Sequence, residues 1–462
     1  MWAPDLTQYP GPKYLALTRA LREAIRSGQL PPGAQLPTVR DLAWKLQVTP
    51  GTVSRAYQLA TQEGLLGATV GRGTFVQAAQ PRMGPTQALF LERPEGRSNL
   101  VDLRSPILPE VGQAEAFSAA LQAMVGQTGQ GWIDYTSQTG EWELRSLVAD
   151  WLEDRDLGAF TADDIALTHG GQSAVNLVLN CCLRGERPAV MLEDLAYPGF
   201  RYAVRLARAE SIAVEIDAEG MKPAALEAAC RRYGAQVLCL TPEAQNPTAA
   251  RMSLERRIEI VSIARAYDLQ IIEDDCYSAA EHNLPSLRAL APERVWHIGS
   301  LSKTVSAALR VGWVVCPEGM GEAGRLTAQH EFFALSRPVS DLCVHLFRTG
   351  AAAHIRARVH EEVSDRLAIL CDRLADFNLT WQPGLAFCWL ELPQGWRASA
   401  FARMAEDAGV LVRAADQYAL THGRAPHAVR LALAGSVERE RIAAAAEALA
   451  LLLPRPPADM AV

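Results

Sequence analysis

Three short apolar runs in the middle of this chain each end in polar residues. The runs begin at Ile165, Val237 and Leu269, and their length and composition are typical of buried strands. The first run continues through two glycines into a sequence suited to a helix, so the order there is strand, glycine turn, helix. The strands are therefore expected to place chemically active side chains at their ends.

A lysine follows a Ser-x-Ser pattern in residues 298–304 (Ile-Gly-Ser-Leu-Ser-Lys-Thr), and Arg310 lies seven residues beyond it. Lys303 can form an imine with an aldehyde. Ser300, Ser302 and Arg310 can hold a phosphate dianion with hydroxyl donors and a fixed positive fork. The pattern predicts a site for an aldehyde that also carries a phosphate. The alternative is a basic loop with small polar residues, and the rest of the chain decides between the two.

The other groups that a phosphorylated pyridine aldehyde needs occur in order along the chain. Unpaired N–H groups at a helix start bind phosphate, and the residues at such a start here are Gly170, Gly171 and Gln172. Tyr197 can stack on the ring. A carboxylate at the end of the third strand, Asp274 or Asp275, can sit under a protonated ring nitrogen. Asn246 and Tyr277 can donate to the ring's phenolate oxygen.

The order and spacing of these motifs resemble the fold-type I aminotransferases that bind pyridoxal 5′-phosphate, over roughly residues 100–455. The resemblance implies an α/β domain with a mainly parallel central sheet, helices on both faces and a smaller C-terminal α+β subdomain. It implies that Lys303 forms the imine and that Arg430 grips a substrate's α-carboxylate. It assigns the pyridinium partner to Asp274 by an Asp-x-x-Tyr spacing, with Asp275 as the alternative. The implied catalytic residues are Lys303, Asp274 and Tyr277.

The same resemblance has one implication for assembly and shows two departures. Tyr135 resembles a tyrosine lent to the phosphate site of the neighbouring subunit, which implies a homodimer. The usual Asn-Pro-Thr-Gly motif ends in Ala249, and Cys276 stands where proline or alanine is frequent. Neither departure removes a catalytic group, so pyridoxal phosphate is the expected cofactor.

The first eighty residues predict a different kind of domain. Residues 14–27 have the apolar spacing of an amphipathic helix, and residues 39–46 predict a second, short helix. A third helix is predicted from Thr49 as N-cap and Pro50 at the first helical position. Two short helices joined by a brief turn indicate a helix-turn-helix, and residues 70–76 predict a hairpin that would form a wing.

The charge of this head supports binding to a polyanion. Up to residue 78 it has eight basic and four acidic residues, a net charge of +4. The whole chain carries −7, which leaves −11 for the remainder. Lysines and arginines bind a phosphate backbone by displacing condensed counterions. A three-helix interaction module with solvated charges is the alternative.

Residues 28–76 resemble the GntR family of winged-helix DNA-binding domains, and the head and body together resemble the MocR/GabR regulators. The resemblance implies a DNA-binding domain at 1–78, a linker at 79–99 and an effector domain at 100–462. It implies that operator DNA is contacted by Arg40 of the preceding helix, by the start of the reader helix and by the wing. The implied residues are Arg40, Thr49, Gly51, Thr52, Arg55, Arg72 and Gly73.

Composition sets further bounds. No window approaches eighteen uninterrupted apolar residues, and the first residues lack a signal pattern, so a cytoplasmic protein without a membrane span is expected. Nine cysteines include no Cys-x-x-Cys pair, so neither a metal site nor a disulfide framework is predicted.

Two functions compete. One is a transcription regulator whose body senses pyridoxal phosphate, or an amine or amino acid that exchanges with the lysine imine. The other is an active aminotransferase with an appended DNA-binding domain. The reader helix and wing favour the regulator, because a transaminase gains nothing from them, although weak transamination is compatible with it.

Overall fold

The computed structural model describes residues 2–9, 11–31, 33–62, 65–69, 73–77, 100–125, 132–137, 139–277, 283–420, 425–433 and 435–456. The chain divides into two compact units, Met1–Thr86 and Gln87–Val462. Residues 78–99 lie outside the described residues, so the predicted bounds of the linker stay a prediction. None of the helices in the described part of the chain is long and apolar enough to cross a membrane.

The first unit contains three helices and a two-stranded hairpin: α1 (Lys13–Arg26), α2 (Val39–Lys45), α3 (Pro50–Gln62), β1 (Leu66–Thr69) and β2 (Gly73–Val76). The predicted start of α3 is confirmed, because the Thr52 N–H donates to Thr49 Oγ1 at 3.3 Å and the helix begins at Pro50. Buried side chains from all three helices form one core, among them Leu17, Leu21, Leu42, Val53 and Ala56.

The wing differs from the prediction in one respect. The hairpin begins at Leu66, four residues before the predicted start, and Leu66 lies opposite Val76. The tip, with Arg72, lies outside the described residues. Residues 34–36 add to the other edge of β2, where the Leu36 N–H donates to the Thr74 carbonyl at 2.8 Å. Residues 34–36 therefore extend the hairpin on its second edge.

The second unit has twelve helices among its described residues: α4 (Gln113–Met124), α5 (Trp142–Trp151), α6 (Gly171–Cys182), α7 (Pro198–Leu206), α8 (Pro223–Arg232), α9 (Leu254–Ala266), α10 (Leu287–Leu290), α11 (Gly321–Phe332), α12 (Arg337–Arg348), α13 (Ala351–Arg373), α14 (Ala398–Asp407) and α15 (Arg439–Leu452). Its strands are β3 (Val101–Asp102), β4 (Ile165–Thr168), β5 (Ala189–Glu193), β6 (Glu210–Val214), β7 (Ile216–Asp217), β8 (Gly220–Met221), β9 (Val237–Leu240), β10 (Gln270–Asp274), β11 (Val295–Ser300), β12 (Gly312–Val315), β13 (Leu379–Thr380), β14 (Phe387–Glu391), β15 (Val410–Leu411), β16 (Arg413–Ala414) and β17 (Ala428–Ala432).

The central sheet has seven strands in the order β4-β12-β11-β10-β9-β5-β6. Only β12 runs antiparallel to its neighbours in this sheet. Consecutive residues of β10 face opposite sides: Ile271 packs with residues of α8 and α9, and Ile272 with residues of α6 and α7. The three predicted strands and the helices on both faces are confirmed. Because strands buried on both faces need apolar residues throughout, they appear in the sequence as continuous apolar runs.

The smaller C-terminal part contains an antiparallel sheet of four strands, β13-β14-β17-β16, with α14 and α15 nearby in sequence. The α+β subdomain is therefore confirmed. Strand β3, at the start of the second unit, pairs in parallel with β15 of this subdomain, with Val101 opposite Val410. The first residues of the body are thus part of the C-terminal subdomain.

Candidate functional site

A pocket of about 930 Å³ lies where the parallel strands of the central sheet end. Such strand ends are where α/β sheets bind ligands, because loops from several strands meet there. The predicted residues that line this pocket are Gly171, Gln172, Tyr197, Asn246, Asp274, Tyr277, Ser300, Ser302, Lys303, Arg310 and Arg430. Residues up to 197 positions apart in sequence are in direct contact there, since Lys303 donates to the carbonyl of Pro106.

The turn between β4 and α6 forms one end of the pocket. Gly170 has φ +84°, and a Cβ built on it would lie 2.6 Å from Arg310 Nη2. The same Nη2 donates to the carbonyl of His169 at 2.9 Å, and Nη1 lies 3.4 Å from Ser302 Oγ. A glycine, a guanidinium and a helix N-terminus therefore meet at one point, which is an arrangement suited to a phosphate.

Lys303 follows β11 in a short 3-10 turn and is half-buried. Its Nζ donates to the carbonyl of Pro106 at 3.1 Å and lies 5.9 Å from the centre of the Tyr277 ring. Burial lowers the pKa of this amine to about 8, and the positive charges of Arg430 and Arg310 act in the same direction. The amine is therefore closer to its neutral, nucleophilic form than an exposed lysine would be.

The two candidate carboxylates, Asp274 and Asp275, have different surroundings in the structure. Asp274 lines the pocket, its Oδ1 accepts from the N–H of Cys276 at 2.9 Å, and burial raises its pKa. Asp275 is buried on the other side of the chain, where it pairs with Arg155 and lies 3.7 Å from Nε2 of His297. Of the two carboxylates, only that of Asp274 lines the pocket.

Arg430 is buried and holds two groups of the pocket wall. Its Nη1 donates to Oδ1 of Asn246 at 2.8 Å, and its Nη2 donates to the carbonyl of Arg104 at 2.8 Å. Because the Asn246 carbonyl is occupied, its amide nitrogen is the group left to donate to a ligand. Burial raises the pKa of Tyr277 to about 12, so its phenol stays protonated and can also donate.

Tyr197 and Gln172 lie at the starts of α7 and α6. Gln172 Nε2 donates to the Gly199 carbonyl at 3.0 Å, while its buried Oε1 has no partner among the described residues.

The two departures from the usual motifs, Ala249 and Cys276, are accommodated in the structure. Ala249 adopts φ +60°, a conformation that glycine adopts more easily. Cys276 packs so closely on Gly171 that a Cβ there would lie 2.5 Å from its Sγ.

Tyr135 does not line the pocket of its own chain. It is 84% exposed and stacks on Phe333, with ring centres 5.2 Å apart. Its neighbours on the surface include further exposed apolar side chains of the same loop, among them Ile133 at 83% exposure.

Sequence reasoning missed two charged residues of the pocket lining, Glu110 and Arg413. Arg413 of β16 lines the pocket and lies directly opposite Arg430 of β17. No motif marks this arginine in the sequence, because its position follows only from the pairing of the two strands. Arg201 of α7 does not line the pocket, and its guanidinium donates to the Ala419 carbonyl at 2.7 Å.

The head presents most of its predicted DNA-contacting residues to solvent. Arg40, Thr49, Gly51, Arg55 and Gly73 are exposed, and Thr52 is half-buried. The hydroxyls of Thr49 and Thr52 lie 2.9 Å apart at the start of α3. The guanidinium of Arg55 lies over the Tyr14 ring, 4.4 Å from its centre.

The fold and the pocket define a pyridoxal phosphate-binding domain of the aminotransferase type. The buried amine of lowered pKa, the cradle that a Cβ at Gly170 would fill, and the Asp274 carboxylate fit an aldehyde, a phosphate and a protonated ring nitrogen, respectively. Residues 99–449 match the family described as aminotransferase class I and II, and residues 13–76 match the bacterial regulatory proteins of the gntR family.

The chain therefore belongs to the class I and II aminotransferase family and carries a gntR-type DNA-binding head. The HTH-type transcriptional regulator YdeF of Bacillus subtilis is 30% identical, over 94% of this chain and 92% of that protein. The HTH-type pyridoxine biosynthesis transcriptional regulator PdxR of Corynebacterium glutamicum is 27% identical, over 79% of each chain. The α-aminoadipate aminotransferase LysN of Thermus thermophilus, solved with N-(5′-phosphopyridoxyl)-L-leucine, has a TM-score of 0.67 at 26% identity, over 77% of this chain and 92% of that one.

Proposed function

We propose that this protein is a cytoplasmic transcription regulator whose DNA affinity depends on what occupies the pocket of its aminotransferase-like body. One observation carries the proposal: a gntR-type head and a pocket with every group that pyridoxal phosphate needs occur in one chain. Pyridoxal phosphate, when bound, supplies a reactive aldehyde and an electron-accepting ring. The ligand that is sensed is either this cofactor or an amine that reacts with it.

The residues of the pocket have separate roles in this proposal. Arg310, Ser302 and the N-terminus of α6 hold the phosphate, and Asp274 keeps a proton on the ring nitrogen. Lys303 would supply the neutral amine for the aldehyde of the cofactor, and its lowered pKa suits that role. Arg430 binds the carboxylate of that ligand through a planar fork.

The head reads the operator through the first turn of α3 and through the wing. Thr49, Gly51 and Thr52 lie at the helix start, which is the part of a reader helix that reaches base edges. Arg40 and Arg55 have the charge to contact phosphates, and Arg72 and Gly73 belong to the wing. These assignments depend on the exposure of the described residues and on the family to which the head belongs.

The regulator acts as a two-fold homodimer. The stacked pair Tyr135 and Phe333, together with Ile133, forms an exposed apolar surface that a monomer would leave in water. In the dimer, Tyr135 reaches the phosphate site of the other subunit. A two-fold dimer also places two reader helices on a palindromic operator.

An active aminotransferase with an appended head is the second candidate. The lowered pKa of Lys303 favours it, since a neutral lysine is also what a transaminase needs to move a proton. One experiment separates the two: operator affinity is measured by fluorescence anisotropy for apo, cofactor-bound and cofactor-plus-amine protein. The regulator predicts at least one difference of about five- to 150-fold between these states, the usual range of allosteric coupling. Equal affinities together with steady conversion of an amino acid to its keto acid would establish the enzyme instead.

A further inference from the structure

Arg413 lies beside the arginine that we assign to the ligand's carboxylate. Arg413 of β16 and Arg430 of β17 are directly opposite partners in an antiparallel pair, so their side chains leave the sheet on the same face. Both line the pocket. Like charges directly opposite each other destabilise a sheet. A negative group between the two arginines would relieve this repulsion.

The two guanidinium groups are held close together by one aromatic ring. The guanidinium carbon of Arg413 lies 4.9 Å from the centre of the Tyr418 ring, and that of Arg430 lies 5.1 Å from it. These distances limit the separation of the two guanidinium carbons to 10.0 Å. Both positive charges are thus within reach of one small molecule.

Neutral groups position Arg413. Its Nε donates to Oε1 of Gln417 at 3.0 Å, and the backbone of this loop is held by Arg201, which donates to the carbonyls of Gln417 and Ala419. The guanidinium of Arg413 is therefore oriented by the loop that contains Gln417, and Arg201 of α7 holds that loop.

No carboxylate of the described residues forms an ion pair with either pocket arginine. The hydrogen-bond acceptors of Arg430 are the side chain of Asn246 and a backbone carbonyl, which are neutral. Burial lowers the pKa of Arg413, and the positive charge of Arg430 lowers it further. A buried guanidinium and a half-buried one that form no ion pair are costly. An anionic ligand would remove that cost.

We propose that Arg413 binds a second acidic group of the effector, so that the pocket selects an amino dicarboxylic acid over amines with one acidic group or none. Arg430 takes the carboxylate next to the amine, and Arg413 takes the distal carboxylate. The separation limit of 10.0 Å suits two carboxylates joined by a few methylene groups. The inference rests on the proposed function, since it requires that the pocket accept an amine.

The test is calorimetric titration of the full-length, pyridoxal phosphate-loaded protein with L-glutamate and L-2-aminoadipate. L-glutamine and L-norleucine, which lack the distal acid, serve as comparison ligands. One charge-assisted bidentate contact predicts that the diacids bind about ten- to a hundredfold more tightly than the comparison ligands. In Arg413→Gln this preference falls to within about threefold, while the affinity for the comparison ligands stays within about threefold of wild type. Arg413→Lys keeps part of the preference, because it keeps the charge.

A matched control is Arg205→Gln, which removes an exposed arginine of α7 that does not line the pocket and is expected to leave all affinities unchanged. Equal binding of diacids and comparison ligands by wild type overturns the inference, as does a diacid preference that survives in Arg413→Gln. In both cases the proposed function stands, provided that some amine binds and changes operator affinity. If no amino acid binds at all, the inference fails together with the amine branch of the proposed function.

Discussion

Replacing Gly170 by alanine tests the phosphate cradle directly. The added Cβ would lie 2.6 Å from Nη2 of Arg310, 3.1 Å from its Cζ and 3.4 Å from its Nη1. Ordinary contacts between such heavy atoms are about 3.5–4.0 Å, so the guanidinium must retreat by about 1 Å. Its 2.9 Å hydrogen bond to the His169 carbonyl would then break, and the guanidinium would no longer point at the phosphate.

The expected magnitude follows from these contacts. Gly170 has φ +84° and ψ 175°, a region that other residues occupy at a cost of about 1–3 kcal/mol, so the variant loses about that much stability. A charge-assisted hydrogen bond contributes about 1.5–3 kcal/mol, so pyridoxal phosphate should bind about ten- to a hundredfold more weakly. Equilibrium titration of apo protein, followed by absorbance, measures the affinity, and chemical denaturation measures the stability.

Gly185→Ala is the matched control for this experiment. Gly185 has φ +82°, close to that of Gly170, but no described atom lies within 4 Å of a Cβ built on it. The control should lose about 1–2 kcal/mol of stability for the left-handed conformation and bind the cofactor normally. If Gly170→Ala binds pyridoxal phosphate as tightly as this control, the cradle does not hold the phosphate and the reasoning is wrong.

The further predictions concern the amine, the assembly and the DNA face. Lys303→Ala should lose the yellow absorption band and the borohydride-stable cofactor adduct seen by mass spectrometry; an adduct retained in the variant would assign another lysine. Since the pKa of Lys303 is lowered to about 8, the neutral fraction and hence the rate of cofactor addition should rise about tenfold per pH unit below 8 and level off above it. If the rate in stopped-flow measurements keeps rising to pH 10, the pKa of Lys303 is not lowered and this prediction is wrong. Tyr135→Ala should weaken the dimer and cofactor affinity together in sedimentation and absorbance titrations, and unchanged values would remove this tyrosine from the interface. Thr52→Ala should relax operator preference and Arg72→Ala should weaken all DNA binding, each by about 1–3 kcal/mol in anisotropy titrations; unchanged affinities for operator and control DNA would refute the assigned face.

The sequence predicts most of the fold and pocket because these depend on local patterns. Strands buried on both faces need continuous apolar residues, and a phosphate turn needs glycines before a helix, so β4, β9 and β10 are visible in the sequence. The start of α3 is equally visible, since Thr49 and Pro50 are local signals for a helix start.

Features that depend on pairing between distant segments are not visible in this way. Arg413 enters the pocket because β16 pairs with β17, and two-residue strands have no periodicity to detect. Residues 34–36 join the wing through hydrogen bonds to β2, in a stretch whose prolines and glycines indicate only a turn. The Asp-x-x-Tyr spacing favoured Asp274 as the partner of the ring nitrogen but did not exclude Asp275. The two are distinguished only by the three-dimensional structure, in which Asp275 pairs with Arg155.

The hydrogen bonds that Lys303 and Arg430 make to the backbone have a mechanical consequence. These two side chains donate to the carbonyls of Pro106 and Arg104, within six residues of β3, where the described part of the body begins. A ligand that reacts with the lysine or engages the arginine competes with the main chain for the same donors. If the Pro106 or Arg104 carbonyl loses its donor, it must accept a hydrogen bond from another group or change position. Strand β3, which precedes both residues, is paired with β15 of the C-terminal subdomain. If a ligand engages these side chains as proposed, the first backbone that must respond is that of residues 104–106, which follows β3 in the chain.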